Sequence, residues 1–311
     1  MSSFDAVIRW LLDSDPAIRW QVLRDLTDAS PDAVAAERAR VASEGWGAEL
    51  LDRQAEDGEW GDPANRRRWE VTLHALQLLW TFGLDPADER ARAMVTRVRE
   101  RVTWGPWHGY SRFFAGEVEP CINGRVVALG GYFDEANDRL VERLLGEQLA
   151  DGGWNCEAGR GSVRSSFHST ICVLEGLLEY ERARGAKPEV IAARARAHEY
   201  LVSRRMFRRL STGRPIDAKW TRFAFPVHWH YDVLRGLDYL RSAGGARDER
   251  LREAVELVAK RAHQNGRWPL AAPHSDPIGL AMEPGRGKAS RWNTLRALRV
   301  LRWYSASGPR S

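Results

Sequence analysis

The sequence predicts an all-α protein built from repeated pairs of helices. Apolar residues recur at helical spacing in one segment after another, which is typical of helices that bury one face. No segment shows the sustained two-residue alternation of a half-buried strand. A turn of the form Asp/Asn-Gly-x-Trp occurs three times, so the helices are expected to belong to repeating units.

The repeated turns account for three of the fourteen tryptophans in the chain. They are EDGEWG at 56–61, ADGGWN at 150–155 and QNGRWP at 264–269. Each has a glutamine close by, namely Gln54, Gln148 and Gln264. We expect the indole to cover a turn that ends a helix and the glutamine amide to bond free backbone groups at that helix end. The turns should therefore fasten neighbouring units together.

Two kinds of helical segment alternate along the chain. The more apolar segments lie at 20–26, 69–79, 123–133, 167–180, 230–240 and 292–303. The more charged, amphipathic segments lie at 33–41 continuing into 50–54, 88–101, 137–149, 188–205 and 248–263. This alternation predicts one α/α toroid over 1–304, with about six inner helices wrapped by outer helices, and a flexible tail at 305–311. An open superhelical solenoid fits the periodicity nearly as well.

Composition limits the class of protein. The net charge of +5 comes almost wholly from arginine, since the chain has only four lysines, and the arginines are interleaved with acids. This pattern is typical of solvated helix faces rather than of nucleic-acid binding. Three cysteines are too few for a disulfide framework and favour a reducing compartment, so we expect the cytoplasm. The N-terminus lacks a signal-peptide core, and no apolar run is long enough for a transmembrane segment.

The glutamine and tryptophan spacing resembles the QW motif of squalene cyclases and related terpenoid cyclases, members of the α/α-toroid superfamily. That superfamily also contains the β subunits of protein prenyltransferases. SFHSTICVLEGL at 166–177 is similar to their helix that begins Tyr-His-Thr, and His168 matches its zinc-ligand histidine. Glu119-Pro120-Cys121 corresponds to their Asp-x-Cys pair, with glutamate for aspartate, whereas Cys156 has no counterpart. The resemblance implies zinc, an isoprenoid-like substrate and a possible second subunit.

The residues themselves also indicate a metal site. Cys121, Cys156, His168 and His230 all lie at or just before the start of a predicted inner helix, and these ends share one mouth in a closed ring. Thiolate and imidazole are the ligands that zinc prefers. His228 in place of His230, and Glu119 as a further ligand, are left open. The alternative is that the thiols are small buried side chains and the histidines cap helices. Cys172 is expected in the core.

Other side chains near the predicted mouth could act on a substrate. Glu157 and Asp232 are candidate catalytic acids or bases if burial tunes them. Arg125 and Arg164 are candidate ligands for a diphosphate or a carboxylate. The candidate aromatic lining is Trp69, Phe167, Trp229 and Trp292. The acids at 134–138 are instead interpreted as belonging to a helix N-terminus.

Two long loops interrupt the repeat pattern. The segment 207–229 is aromatic and basic, and the segment 270–290 is rich in proline and glycine. Long loops on one rim of a repeat protein often carry binding function, so the two loops are expected to form a lid. The alternative is a pair of surface loops.

These observations favour a metal-assisted enzyme that acts on an apolar or isoprenoid-like small molecule in a central cavity. Neither the Asp-x-Asp-Asp nor the Asp-Asp-x2-Asp motif of terpene cyclisation is present. The alternative from another class is a non-catalytic toroid that binds a lipid or a peptide and contains a structural zinc site. A three-ligand site open to water would favour the enzyme, and a closed four-ligand site the structural role.

Overall fold

The structure is a computed structural model that describes residues 3–106 and 109–306. Within those ranges the chain forms thirteen α-helices, and its only β-type pairings are three isolated bridges, which confirms the all-α class. None of the described helices is both long and apolar enough to cross a membrane. Of the predicted tail at 305–311, residues 307–311 lie outside the described ranges. The helices are α1 (Ser3–Leu12), α2 (Pro16–Leu26), α3 (Pro31–Ala39), α4 (Gly45–Asp52), α5 (Arg68–Phe82), α6 (Glu89–Arg101), α7 (Pro120–Tyr132), α8 (Asp138–Gly146), α9 (Phe167–Arg184), α10 (Pro188–Ser203), α11 (Val233–Ser242), α12 (Arg252–Lys260) and α13 (Arg291–Ser305).

All the predicted helical segments correspond to helices, but two details differ. α1 is not predicted from the sequence. The predicted start of an inner helix at 230 is wrong, because α11 begins at Val233. Asp232 ends the preceding loop there by accepting a hydrogen bond from the backbone N–H of Arg235 at 2.7 Å, which is the geometry of a helix N-cap.

The described chain divides into two compact units. Unit 1 comprises Met1–Arg40, Leu201–Asp276 and Ala281–Ser311, and unit 2 comprises Val41–Tyr200 and Pro277–Leu280. Unit 1 contains α1 to α3 and α11 to α13, and unit 2 contains α4 to α9 with most of α10. The single toroidal domain over 1–304 stays a prediction.

In unit 2, α7 and α9 pack backbone against backbone. A Cβ atom on Gly124 would lie 2.6 Å from the backbone of Cys172 and Val173, and one on Gly176 would lie 2.2 Å from the carbonyl oxygen of Gly124. No real Cβ contact is that short, so both positions require glycine. The two helices can approach this closely only because neither has a side chain at the crossing.

In unit 1, the helices nearest the two ends of the chain pack together. α13 contacts α2, α11 and α12. At the contact between α13 and α2, the guanidinium of Arg299 is buried, forms an ion pair with Asp25 and donates to Gln21 Oε1 at 2.7 Å. Burial lowers the pKa of Arg299 to about 10, while Asp25 and Asp238 act in the opposite direction. Arg299 can stay charged when buried because Asp25, Asp238 and Gln21 take the place of the water that would otherwise solvate its guanidinium.

The three Gly-x-Trp turns share one hydrogen-bond pattern. Each indole N–H donates to the carbonyl ten residues earlier, from Trp60 to Leu50, from Trp154 to Leu144 and from Trp268 to Val258. Each tryptophan backbone N–H donates to a threonine hydroxyl in the first turns of a following helix, namely Thr72, Thr170 and Thr294. Each turn therefore joins the end of one helix to the start of another.

The glutamine of the repeat has the predicted role at two of the three turns. Gln54 donates to the carbonyls of Gly58 and Met94, and Gln148 donates to those of Gly152 and Ala193. The prediction for Gln264 is wrong. Gln264 is exposed and lies four residues before Trp268, whereas the two bonded glutamines lie six residues before their tryptophans; Ala262 occupies that place in the third turn.

Candidate functional site

Cys121 lies in the first turn of α7, directly after Pro120. Proline suits the first helical position, since its ring fixes φ and it has no N–H to satisfy. The Cys121 side chain is buried, and its thiol lies 3.6 Å from Glu119 Oε2. The helix start therefore holds a thiol and a carboxylate side by side.

Cys156 follows the second Gly-x-Trp turn and is half-buried. Ser169, in the first turn of α9, accepts a hydrogen bond from the Cys156 backbone N–H at 3.3 Å. The Ser169 hydroxyl also lies 3.3 Å from Cys156 Sγ. The backbone and the sulfur of Cys156 are thus both held by one hydroxyl on α9.

The structure brings Glu119, Cys121 and Cys156 together. One carboxylate oxygen and the two sulfurs all lie within 4.8 Å of one another. Glu119 and Cys121 belong to the start of α7, which crosses α9 closely at Gly124, and Ser169 holds Cys156 to the first turn of α9. The cluster contains two of the four predicted metal ligands, Cys121 and Cys156, and adds Glu119, which the sequence left open.

The pKa values of the two thiols are shifted in opposite directions. The hydrogen bond between the sulfurs raises the pKa of the Cys121 thiol, and burial raises it further. The same hydrogen bond lowers the pKa of Cys156, with a further contribution from Ser169 that acts against burial. Cys156 is therefore the sulfur that ionises first.

The donor set suits a soft or borderline divalent cation. Two thiolates and one carboxylate are ligands that zinc accepts, and three protein ligands leave one position of a tetrahedron open. His168, half-buried in the first turn of α9, is not one of the three clustered residues. His230 and His228 belong to unit 1. The His230 ring stacks on the rings of Trp229 and His274, with ring centroids 3.8 Å and 3.7 Å apart. Ligation by His168 or His230 stays a prediction.

The two predicted acid–base residues lie in different settings. Glu157 is exposed and pairs with Arg160 at 3.0 Å, so the burial that would tune it is absent. Asp232 is buried, and its oxygens accept from the backbone N–H groups of Arg235 and Ala224. Each oxygen of the Asp232 carboxylate therefore already accepts one backbone hydrogen bond. Catalytic roles for both residues stay predictions.

The predicted anion-binding arginines are not alike either. Arg125 is buried between α5 and α7 and donates to Gln77 Oε1 at 3.0 Å. Arg164 is exposed in the loop before α9. Only Arg164 has the accessibility that a diphosphate would need.

Among the predicted aromatic lining residues, accessibility again differs. Phe167 is buried against Tyr200, and Trp292 is buried in a parallel stack with Phe225 at 4.5 Å. Trp69 is half-buried beside Trp104, and Trp229 is exposed. Trp69 and Trp229 therefore keep a surface that a substrate could reach, and substrate binding by all four stays a prediction.

The acidic run at 134–138 lies at a cleft of about 470 Å³ on unit 2. Asp138 is in the first turn of α8, where its carboxylate accepts from the Tyr180 hydroxyl at 2.8 Å and pairs with Lys187. Glu135 pairs with Arg99. These contacts agree with the interpretation of the run as acids at a helix N-terminus.

Sequence analysis missed one acid in unit 1. Glu283, in the proline- and glycine-rich loop before α13, accepts a hydrogen bond from the Ser290 hydroxyl at 2.5 Å, and its other oxygen is buried. Burial raises the pKa of Glu283 to about 7. A carboxyl group with such a pKa can donate a proton near neutral pH. The only sequence signal is that Glu283 is the one charged residue in 277–285.

Glu283 should make stability depend on pH. Because its pKa in the folded chain is about 7, above the ordinary value of 4.5, the folded state holds the proton more tightly than the unfolded state. The free energy of unfolding should therefore fall as pH rises through this window, by roughly 2 to 3 kcal/mol from this group. Urea unfolding of the unaltered chain and of Glu283→Gln at about pH 5 and about pH 8 measures this effect.

The glutamine variant should lack that part of the pH dependence, since it cannot ionise but can still accept from Ser290. Glu157→Gln, at an exposed carboxyl, is the matched control and should behave as the unaltered chain does. An identical pH dependence in the Glu283→Gln variant and the unaltered chain would contradict the assignment.

Comparison with known proteins shows similarity in structure only. No protein-family model matches the chain, and no curated protein matches it in sequence. Among solved structures, a protein from Actinoplanes is similar at 17% identity, with 98% of this chain and 99% of that chain covered and a TM-score of 0.47. The type II terpene cyclase MstE from Scytonema is similar at 17% identity, with 96% of each chain covered and a TM-score of 0.47. A variant of that cyclase in complex with geranylgeranyl dihydroxybenzoate is similar at 16% identity, with 97% and 95% covered and a TM-score of 0.44.

Proposed function

We propose that the chain is a metal-assisted enzyme that acts on an apolar, isoprenoid-like small molecule. The observation that supports this function is the cluster of Glu119, Cys121 and Cys156, whose ligand atoms lie within 4.8 Å of one another. In this proposal the three side chains hold one zinc ion. A zinc ion held by three protein ligands supplies a Lewis acid or a bound water of lowered pKa.

Side chains of the chain itself would prepare this site. Ser169 fixes Cys156 through contacts to both its backbone N–H and its sulfur, so the thiolate does not have to be ordered when a ligand arrives. Such contacts to a metal ligand usually strengthen binding. Cys156 is partly exposed and Cys121 is buried, so a substrate would reach the cluster through Cys156.

The substrate class in the proposal comes from the sequence resemblance. The repeated glutamine and tryptophan turns resemble those of terpenoid cyclases, and 166–177 resembles the zinc-ligand helix of prenyltransferase β subunits. Trp69, in unit 2 like the cluster, keeps ring surface that an apolar chain could contact. The same resemblance implies that the enzyme could require a second subunit.

The alternative is a non-catalytic protein whose zinc is structural. A structural site has four protein ligands, whereas the described cluster supplies three. The three-ligand set favours the enzyme. For the structural alternative, a fourth ligand, for which His168, His230 or His228 is predicted, would have to complete the cluster.

The purified protein is expected to contain about one equivalent of zinc. Cys121→Ser and Cys156→Ser should each lower zinc content sharply, because either change removes a thiolate ligand. Cys172→Ser is the matched control, since Cys172 is fully buried in α9 and outside the cluster. Elemental analysis gives the metal content, and circular dichroism shows whether each variant is folded.

Removal of zinc by a chelator separates the two functions. A catalytic ion should leave with little change in melting temperature, whereas a structural ion should take stability with it. A His168→Ala variant with unchanged zinc content would support the three-ligand site. Metal-free protein of full helicity that takes up no added zinc would reject the metal.

A further inference from the structure

We propose that Cys156 and Cys121 are a redox-active pair, in which Cys156 reacts with a peroxide and Cys121 then closes a reversible disulfide. This inference uses two side chains of the proposed metal site but needs no metal. It therefore goes beyond the proposed function and can be tested in the metal-free chain.

The positions of the sulfurs allow a bond between them. The Cys121 and Cys156 sulfurs lie within 4.8 Å of each other. A disulfide requires a separation of about 2 Å, so the sulfurs must approach one another by less than about 3 Å. Cys156 lies in the loop between the Gly-x-Trp turn and α9 rather than in a helix, so the loop can supply this movement without breaking α7.

Accessibility assigns the order of the two steps. Cys156 is half-buried, Cys121 is 9% exposed and Cys172 is completely buried. A small oxidant in solution therefore meets Cys156 first. Cys121 is out of its reach but close to Cys156, as a resolving thiol must be.

The chemistry balances with hydrogen peroxide as the oxidant. The Cys156 thiolate attacks one peroxide oxygen, an S–O bond forms and the O–O bond breaks. The hydroxide that leaves takes up the proton that the Cys156 thiol released on ionising and becomes water. Cys156 is oxidised by two electrons to the sulfenic acid as the peroxide is reduced. Cys121 sulfur then attacks Cys156 sulfur, the S–S bond forms, and the oxygen leaves with the Cys121 proton as a second water.

The disulfide would also remove two of the three ligands of the proposed metal site. Oxidation and metal binding should therefore exclude one another, since a metal-bound thiolate is not free to attack peroxide. Zinc, if bound as proposed, should slow disulfide formation by about tenfold or more. Failure of this protection alone would count against the metal site and leave the redox pair in place.

The experiment uses the full chain, stripped of metal by a chelator and treated with one equivalent of hydrogen peroxide. Peptide mapping without reductant should find a cross-link between the peptides that contain Cys121 and Cys156, and a thiol assay should find Cys172 still reduced. Dithiothreitol should restore all three thiols. Cys172→Ser should form the same cross-link at the same rate.

The variants separate the two roles. Cys121→Ser should stop at the sulfenic acid on Cys156, which dimedone traps, and Cys156→Ser should consume peroxide at least about tenfold more slowly. Circular dichroism confirms that each variant is folded. Three outcomes would overturn the proposal. The first is a cross-link that includes Cys172, and the second is that every cross-link is intermolecular. The third is that Cys156 of the unaltered chain is oxidised beyond the sulfenic acid while Cys121 stays reduced.

Discussion

Gly124→Ala is expected to destabilise the protein by about 3 to 5 kcal/mol. The added methyl group would lie 2.6 Å from the backbone of Cys172 and Val173, and a backbone cannot turn aside as a flexible side chain can. α7 and α9 would have to separate, which would open the packing along the whole crossing. Denaturant unfolding followed by circular dichroism measures the change.

Gly146→Ala, at the last residue of α8, is the matched control. No atom lies within 4 Å of the position that its methyl group would take. Alanine favours the helix over glycine by up to about 1 kcal/mol, so this variant should be neutral or more stable. Equal losses of stability in the two variants would show that the glycine is not required by the crossing of α7 and α9.

Arg299→Met is expected to lower the free energy of unfolding by about 2 to 4 kcal/mol. The guanidinium is buried with Asp25 and Gln21, and removal of one partner of a buried pair leaves the other without compensation. In this variant Asp25 still pairs with Arg24 at 2.7 Å. The expected loss of stability is therefore smaller than the largest losses seen when a buried ion pair is broken.

Arg302→Met serves as the control on the same helix, because Arg302 is exposed and reaches only the Asp25 backbone carbonyl. Its effect should lie within about 0.5 kcal/mol. The double variant Arg299→Met with Asp25→Asn should be less destabilised than the sum of the single variants, since neither charge of the buried Arg299–Asp25 pair then remains without the other. Additive losses would reject the ion pair as the source of the effect.

Helical periodicity was enough to predict the class of fold and most helices. α5 and α9 bury residues on nearly every side, and their apolar runs are unmistakable in the sequence. α1 was not predicted, because its ten residues pack mainly on α2 and that contact is not visible in the spacing of one short segment. The predicted helix at 230 began too early because its apolar run continues through a loop before the cap at Asp232.

The candidate site was predicted in part. Cys121, Cys156, His168 and His230 are all predicted at or just before the start of an inner helix, and the structure places Cys121 and Cys156 in one cluster. The same reasoning could not say where His168 would point, since helix position does not determine the direction of a side chain. Glu283 escaped notice because its raised pKa arises from burial by a loop, and loop burial follows no sequence period.

In each of the three Gly-x-Trp turns, the segment before the tryptophan has a fixed length, whereas the segment after it varies in length. From the accepting carbonyl to the indole the interval is ten residues at every turn, so an inserted residue there would break the hydrogen bond. From the tryptophan to the threonine that bonds it, the interval is 12, 16 and 26 residues. The segments between each tryptophan and its threonine can therefore accept insertions. Cys156 lies in the second of these segments and Glu283 in the third. New chemistry can thus be acquired by lengthening a loop whose two ends are already fastened.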